Sequence, residues 1–445
     1  MPEFPGVPIS KDLTPKLQGF LPGAALYLTG FTPDLLAWAY IIPSEVQLTT
    51  FITGFIFYMI IAPLEVKMKK ITYVPGGGFG TYVGTAIKEG LGFYWFGDGV
   101  YLAAGLIPII VAYKYLINTW KRAIKGPTPE EKEEEPLPYR YTWIILILLS
   151  IGIIAVFWHM GLPPLIGLFM LFIQGSYFHA YMRSIGMGDW MTTHGYQMRA
   201  IYDAVFFRTG IYNPKGKIGA MTGVCNTLLT DAGAAGGVAA METFRFAFLA
   251  KMKPRDMFIS QILGMLMFFT GGLIFVLWLM HKYGGITPPF NFMTWGGDYY
   301  AYVARASQEG IFLGVAYSKL WSLVLGFIVA TITIIAKIVL PWLPINVFGL
   351  VFGILLPAYY ALYLFVFIAK WLTLRFFGSK GYEGVAIPFL AGFACGGVIS
   401  TIYTAICTVL RELGYGIYTT IGWILIVITL VPAIITTIRT FTKKA

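Results

Sequence analysis

Charged side chains are scarce in this chain: Asp, Glu, Lys and Arg make up 12% of the 445 residues, whereas 57% are hydrophobic. Soluble globular domains carry about 25% charged residues, so the composition excludes an ordinary soluble domain. Apolar runs of about 20 residues, the length that crosses a bilayer, recur along the chain. The sequence therefore predicts an integral membrane protein with many membrane segments.

Cysteine is also scarce, and the motifs of several enzyme classes are missing from the sequence. The three cysteines, Cys225, Cys395 and Cys407, form no CxxC pair, so neither a disulfide framework nor a zinc site is expected. The sequence has no HExxH or GxSxG motif, and the glycines at 75–80 are not followed by the GK[ST] of a phosphate loop. We therefore expect no enzymatic activity, no cofactor and no resident metal.

The formal net charge of +11 indicates anchoring beside anionic lipid headgroups, because basic residues collect on the cytoplasmic side of membrane proteins. No basic stripe interleaved with aromatics is present, so nucleic acid is not an expected partner. Basic groups at 121–125, 251–255, 370–380 and 439–444 are all predicted to be cytoplasmic. We expect a multi-pass protein of the cytoplasmic (plasma) membrane with a cytoplasmic C-terminus.

The apolar runs predict an all-α, polytopic transmembrane helix bundle with about 12 membrane-embedded segments. These runs include 22–42, 97–117, 163–182, 340–359, 385–409 and 416–438. Some of these segments are expected to be re-entrant or broken helices. We divide the chain into N-terminal transmembrane helices at 1–120, a charged cytoplasmic linker at 121–140, and a main transmembrane bundle at 141–445.

One stretch, residues 217–256, has the length of a span but carries Asn226, Asp231, Glu242 and Arg245 among small residues. Ionisable groups at membrane depth are costly and mark pairing or function. Basic loops at both ends place both ends on one side of the membrane. The polar segment 217–245 is therefore expected to be broken, as a re-entrant hairpin or as an extra pair of short helices, because such backbone is tolerated where protein buries it or water fills a cavity.

The polar side chains of this segment form the predicted substrate-binding site. Asp231 would bind a cation or a substrate amine, with Asn226 and Thr230 as neutral ligands, and Glu242 lies about three helical turns further on. The alternative is structural: Asp231 would cap a helix or form a salt bridge, and Glu242 would pair with Arg245 at i,i+3 spacing.

Two further residues, His179 and Arg183, lie near the end of an apolar run and complete the predicted site. They would form a proton relay or an anion clamp, since histidine titrates near physiological pH, and Arg183 and Arg245 would act as counter-charges. The alternative is interfacial hydrogen bonding.

A second unusual segment, residues 75–98, is too rich in glycine for an ordinary span, and Lys88 and Glu89 interrupt it. Transporter sites are often built from Gly- and Pro-interrupted segments in the two halves of the chain. We therefore predict a second re-entrant segment here.

Several motifs resemble known membrane families. The segment EEPLPYRYTWIILILLSIGIIAVFWHMGLPPLIG, ending at AYMRSIGMGD, resembles the core of an uncharacterised prokaryotic multi-pass membrane family, and LPWLPINVFGLVFG resembles its closing block. LLTDAGAAGG, followed by KMKPRDMFISQILG, is more distantly similar to the oligopeptide transporter superfamily, which includes yellow stripe-like metal-chelate carriers. The resemblance implies a transporter-like fold with an oligopeptide or a metal chelate as cargo.

These features favour a membrane transporter that moves a small polar solute by alternating access, coupled to H+ or Na+. Its expected partners are membrane lipids, the solute and the coupling ion, and a homo-oligomer is left open. The alternatives are a non-transporting membrane scaffold and an intramembrane enzyme that acts on a lipid-linked substrate.

Overall fold

A computed structural model shows a chain that is 78% helical with almost no strand, which confirms the all-α prediction. The structure describes residues 10–29, 33–129, 131, 135–187, 196–249, 251–283, 303, 305 and 318–392.

The helices begin and end at well-defined positions. In chain order they are α1 (Thr14–Leu17), α2 (Pro33–Ile41), α3 (Ser44–Phe55), α4 (Ala62–Lys67), α5 (Phe79–Lys88), α6 (Phe93–Val111), α7 (Tyr113–Lys125), α8 (Tyr139–Met160), α9 (Pro164–Gly186), α10 (Arg199–Tyr202), α11 (Lys217–Leu249), α12 (Pro254–Tyr283), α13 (Leu320–Val339), α14 (Val347–Leu355) and α15 (Tyr360–Gly381). Strands β1 (Lys11–Asp12) and β2 (Tyr27–Leu28) pair antiparallel, with Lys11 opposite Leu28. A 3-10 turn covers Tyr196–Met198, and π-helical turns cover Ile56–Ile61, Asp203–Phe207 and Tyr382–Ala386.

Within the described part of the chain, seven helical stretches are long and apolar enough to cross a membrane. They are Ser44–Lys67, Phe93–Val111, Tyr139–Met160, Pro164–Gly186, Pro254–Phe275, Leu320–Val339 and Tyr360–Gly392. Large apolar side chains such as Leu148 on α8 and Phe268 on α12 are exposed, which suits a helix surface that contacts lipid. The predicted runs at 385–409 and 416–438 lie mostly or wholly outside the described residues.

Two predicted spans are not single helices. The run at 22–42 contains β2 and then the nine-residue α2, and the run at 340–359 contains only the nine-residue α14. A helix of nine residues is about 13.5 Å long, less than half of the roughly 30 Å of a hydrocarbon core. Prolines explain the interruptions, because Pro33 starts α2 and Pro344 and Pro357 flank α14.

The contacts divide the chain into two compact units, one from Met1 to Phe93 together with Ile335 onward, and the other from Tyr94 to Ile334. In the first unit, α14 is buried almost throughout and packs on α3. The contact is close because a Cβ on Gly353 would lie 2.6 Å from the backbone oxygen of Thr50. Small residues four apart, as Gly349 and Gly353 are, allow such close approach of membrane helices.

Buried and half-buried charges in this first unit bind nearby backbone and side chains. Lys370 is buried, and its Nζ donates to the backbone oxygen of Ile42 at 2.9 Å, just after α2 ends. A cation at this end of a helix satisfies free carbonyls and is favoured by the helix dipole. Lys337 donates to Glu45 Oε2 at 2.7 Å, and Asn346 donates to Glu45 Oε1 at 3.0 Å. Both lysines therefore have hydrogen-bond partners within the first unit.

The Gly-rich segment contains α5, a ten-residue helix. Its first N–H group, on Phe79, donates to Asp12 Oδ2 at 2.8 Å, and Thr14 N–H donates to Asp12 Oδ1 at 2.9 Å. Asp12 therefore acts on α5 as an N-cap side chain would, although it comes from the distant β1. Whether α5 enters the membrane stays a prediction.

Helices occupy both ends of the predicted charged linker at 121–140. Helix α7 runs across the predicted boundary at residue 120, and Arg140 at the start of α8 donates to the backbone oxygens of Ala123 and Ile124 at 3.0 and 2.9 Å. The rings of Trp120 and Trp143 also meet edge to face, with centroids 5.1 Å apart. These contacts hold α7 and α8 together as antiparallel neighbours.

The polar segment 217–245 differs from its prediction. It forms one uninterrupted helix, α11, of 33 residues, and not a re-entrant hairpin or two short helices. The hydroxyl groups of Thr222, Thr227 and Thr230 each donate to the carbonyl four residues earlier, at 2.8 to 3.1 Å. Because the threonines are satisfied within the helix and alanine favours helix strongly, polar residues do not require a break here.

Candidate functional site

Helices α9 and α11 meet in the second unit around three buried polar side chains, which we call the amide cluster: Gln174, Asn226 and Thr230. Gln174 Nε2 donates to Asn226 Oδ1 at 2.7 Å and to Thr230 Oγ1 at 3.2 Å. All three residues are almost completely buried. The hydroxyl of Tyr202, at the end of α10, lies beside the Gln174 side chain. Two residues of the predicted site, Asn226 and Thr230, are therefore adjacent in the buried interior of the second unit.

The carboxyl group of Asp98, on α6, contacts α9 one helical turn further along from Gln174. Asp98 on α6 is fully buried, and the hydroxyl of Tyr177 donates to its Oδ1 over 3.5 Å. The backbone N–H of Gln197 donates to Asp98 Oδ2 over 3.3 Å. Since Gln174 and Tyr177 are three residues apart on α9, they lie on the same helix face. Asp98 and the amide cluster therefore contact the same face of α9, and we call them together the polar path.

Helix α6 reaches this position because glycines let its backbone touch two neighbours. A Cβ on Gly105 would lie 1.9 Å from the Ser176 oxygen of α9, and one on Gly99 would lie 1.9 Å from the Leu323 oxygen of α13. Backbone contacts of this kind require glycine. They place Asp98, next to Gly99, deep between helices.

Two other predicted site residues bind the backbone of α6. Arg183 donates from Nη1 to the oxygen of Ala104 at 2.9 Å, and His179 Nδ1 lies 2.9 Å from the oxygen of Gly105. A carbonyl only accepts, so Nδ1 of His179 carries the proton. Pro108 lies inside α6 and has no N–H for the carbonyl four residues earlier, that of Ala104. Arg183 supplies the missing donor, which is how proline is tolerated in membrane helices.

The other predicted site residues are Arg245, Asp231 and Glu242. Arg245 is exposed, and its guanidinium carbon lies 5.5 Å from the ring centroid of Phe248. Asp231 and Glu242 belong to α11 by their backbone, but their side chains fall outside the described residues. Their predicted roles therefore remain untested.

Sequence reasoning missed Gln174, Asp98 and Tyr177. Gln174 and Asp98 each lie within or beside an apolar run, at 163–182 and 97–117, and an isolated polar residue in such a run is itself a sign of function or pairing. The prediction followed the densest group of polar residues and did not weigh these isolated ones.

The chemistry that the path offers is hydrogen bonding by amides and hydroxyls beside one carboxyl group. In the part of the chain that the structure describes, no three His, Cys, Asp or Glu side chains lie close enough to hold a metal ion.

Comparison with known proteins adds one match. A family model described as "Family of unknown function (DUF6785)" matches residues 1–419. The search of the curated proteins found no match, and neither did the search of the solved structures. These comparisons do not connect the chain with oligopeptide transporters or yellow stripe-like carriers.

Proposed function

This chain belongs to the family of unknown function that matches residues 1–419, and from its own residues we propose that it is a membrane transporter that moves a small polar solute by alternating access. The observation that carries the proposal is the amide cluster, in which Gln174 donates to Asn226 at 2.7 Å inside a helical membrane protein. Buried polar groups among membrane helices are costly and mark substrate or ion pathways. Asp98, one helical turn away, adds an ionisable group to the same path.

The short, buried helix α14 supports the proposal independently. Transporters commonly contain discontinuous helices that are buried in the protein and end at membrane depth. Helix α14 has nine residues, and its carbonyl at Ile354 accepts a hydrogen bond from the Tyr58 hydroxyl at 2.6 Å. A helix that ends inside the protein needs such partners for its last carbonyls.

In this proposal the amide cluster binds the solute. An amide and a hydroxyl exchange their mutual hydrogen bonds for bonds to the solute, which lowers the cost of taking the solute out of water. Asp231 and Glu242, further along α11, bind cargo or the coupling ion. Small peptides and metal chelates are the first cargoes to test, because the distant resemblance of LLTDAGAAGG and KMKPRDMFISQILG implies them. The proposal includes no chemical conversion of the solute.

Uptake into proteoliposomes that contain the purified full-length protein tests this function. Labelled amino acids, small peptides and metal chelates form the substrate panel. For a transported compound, Asn226→Ala and Thr230→Ala should each raise KM about tenfold, the effect of one lost hydrogen bond. Thr227→Ala is the matched control, because Thr227 is buried on the same helix and its hydroxyl donates to the backbone oxygen of Gly223.

Equal uptake by the Asn226→Ala, Thr230→Ala and Thr227→Ala proteins would contradict the binding role of the amide cluster. No uptake of any compound, by a protein that remains folded in the vesicles, would contradict transport and favour the scaffold or enzyme alternatives.

A further inference from the structure

Asp203 is a buried carboxyl group whose charge has little compensation. Its side chain is 2% exposed, and its Oδ2 receives no hydrogen bond from any residue that the structure describes. The nearest charged group is the guanidinium of Arg208, with Nε 3.6 Å from Oδ2, which is longer than a hydrogen bond. The Arg208 side chain is also 51% exposed, so water weakens its attraction. A buried carboxylate with one distant partner of this kind is costly.

The titratable groups around Asp203 lie mostly in its own segment of the chain: Arg199, Tyr202, Arg208 and Tyr212. The guanidinium carbon of Arg199 lies 5.6 Å from the ring centroid of Trp95. Helix α11, which packs on α10, carries Lys217 and Cys225 near its start. Among the described groups, the one whose charge acts on Asp203 is Arg208.

The other neighbour of this segment, α9, surrounds it with apolar side chains. The rings of Phe206 and Phe169 meet edge to face, with centroids 5.3 Å apart. Residues 164–173 of α9 have no titratable side chain. Burial in these surroundings raises the pKa of Asp203 above its ordinary value, and the Arg208 cation opposes this rise only in part.

The backbone at Asp203 is unusual, and it adjoins the amide cluster. The N–H of Arg208 donates to the backbone oxygen of Asp203 at 2.9 Å, five residues earlier, and this bond belongs to the π-helical turn Asp203–Phe207. Such turns are frequent at functional sites. The preceding residue, Tyr202, is fully buried, and its hydroxyl lies beside Gln174. Asp203 is therefore one residue away from a side chain that reaches the amide cluster.

We propose that Asp203 is a reversible proton-binding site: a proton from water forms an O–H bond on its carboxylate, which removes the buried charge and ends the ion pair with Arg208. The guanidinium at 3.6 Å favours a proton over Na+ here, because it repels a metal cation, whereas a proton forms a covalent bond. This inference rests on the proposed function in one respect, that the proton on Asp203 drives transport. Proton binding itself is measurable without transport.

Infrared difference spectra of the full-length protein in lipid nanodiscs test proton binding, because the C=O stretch of a protonated carboxyl group is distinct from that of a carboxylate. Between about pH 8 and about pH 5 most exposed carboxyl groups stay ionised, and the wild-type protein should gain a carboxylic-acid band as the pH falls. Asp203→Asn should remove one component of this band. Asp256→Asn is the control, because Asp256 lies exposed in the first turn of α12, and this variant should keep every component.

Variants of Arg208 keep the proposal testable if Asp203→Asn fails to fold. Arg208→Gln removes the cation that favours the carboxylate, so the titration midpoint of the Asp203 component should rise by about 0.3–0.7 pH unit. Arg208→Lys keeps the charge and should leave the midpoint close to that of the wild type. Lys215→Gln removes an exposed cation of the same segment and should not move it. A band that Asp203→Asn leaves unchanged, or a midpoint that Arg208→Gln leaves in place, would overturn the assignment.

Transport assays separate this inference from the proposed function. If the band titrates as expected and no compound is transported, Asp203 binds a proton and the transport proposal fails. If uptake occurs and Asp203→Asn leaves its pH dependence intact, the coupling role of Asp203 is wrong although transport is correct.

Discussion

The contact between α6 and α13 predicts a strong and non-additive effect of alanine at two glycines. A Cβ on Gly99 would lie 1.9 Å from the Leu323 oxygen, and one on Gly326 would lie 2.0 Å from the Phe96 oxygen. Side-chain carbons do not approach closer than 3.0 Å, so either alanine must push the two backbones apart by roughly 1 Å or more. Neither oxygen belongs to a flexible side chain that can move away.

The magnitude follows from two opposing effects. Overpacking of a tight interface costs about 1–3 kcal/mol, and a contact this short lies near the upper end. Replacing glycine by alanine inside a helix contributes about 0.5–1 kcal/mol of stability. Gly99→Ala and Gly326→Ala should therefore each lower the free energy of unfolding by about 2 kcal/mol. Because separation of the helices by one alanine also makes room for the other, the double variant should lose at least about 1 kcal/mol less than the sum of the two.

Unfolding of the purified protein in mixed detergent micelles, followed by tryptophan fluorescence, measures these free energies. Gly105→Ala touches a different neighbour, α9 at Ser176, so its effect should add to that of Gly99→Ala. Gly175→Ala on α9 is the control, since nothing lies within 4 Å of its new Cβ, and it should leave stability unchanged or raise it slightly. Full additivity of Gly99→Ala and Gly326→Ala, or equal effects of Gly99→Ala and Gly175→Ala, would refute the reasoning.

Two further predictions concern the hydrogen bond from Arg183 to the Ala104 carbonyl and the ion pair between Glu45 and Lys337. Arg183→Met should lower the free energy of unfolding by about 1–3 kcal/mol, because it leaves the Ala104 carbonyl without its donor. Adding Pro108→Ala restores an N–H at the right position in α6 and should recover part of this loss in the same unfolding assay; no recovery would argue against the role given to Arg183. Glu45→Lys and Lys337→Glu should each lower stability by up to about 1 kcal/mol, since both side chains are a third exposed. The double reversal should restore most of the thermal stability at low salt, and a double variant no better than either single one would contradict the importance of this ion pair.

A local signal in the sequence singles out Asn226 and Thr230 as candidates. They lie four residues apart on one helix and are polar within an apolar region, and their binding role stays a prediction. The partner of both, Gln174, lies 52 residues from Asn226 along the chain. The sequence pattern of either segment does not predict that Gln174 pairs with Asn226, because the pairing depends on how α9 and α11 pack.

The shape of the polar segment was mispredicted for a physical reason. The basic loops at both ends and the polar side chains favoured a broken segment, but the threonine hydroxyls bond to the helix backbone and Gln174 satisfies Asn226. Hydrophobicity counts treat each polar group as if it faced the membrane. Asn226 and Thr230 instead face Gln174 of α9, and the helix continues.

Helical class, membrane location and most spans follow from composition and apolar runs, because each span must bury about 20 consecutive apolar residues and satisfy its backbone within the segment. Those are properties of neighbours in sequence. Asp98 meets Tyr177 and Gln197, which are 79 and 99 residues away, and Arg183 meets a carbonyl that Pro108 leaves open. Such pairings arise only when helices pack, since glycine contacts between backbones decide which faces meet. They bring Arg183 and His179 to backbone carbonyls of α6, and they bring Asp98 to α9.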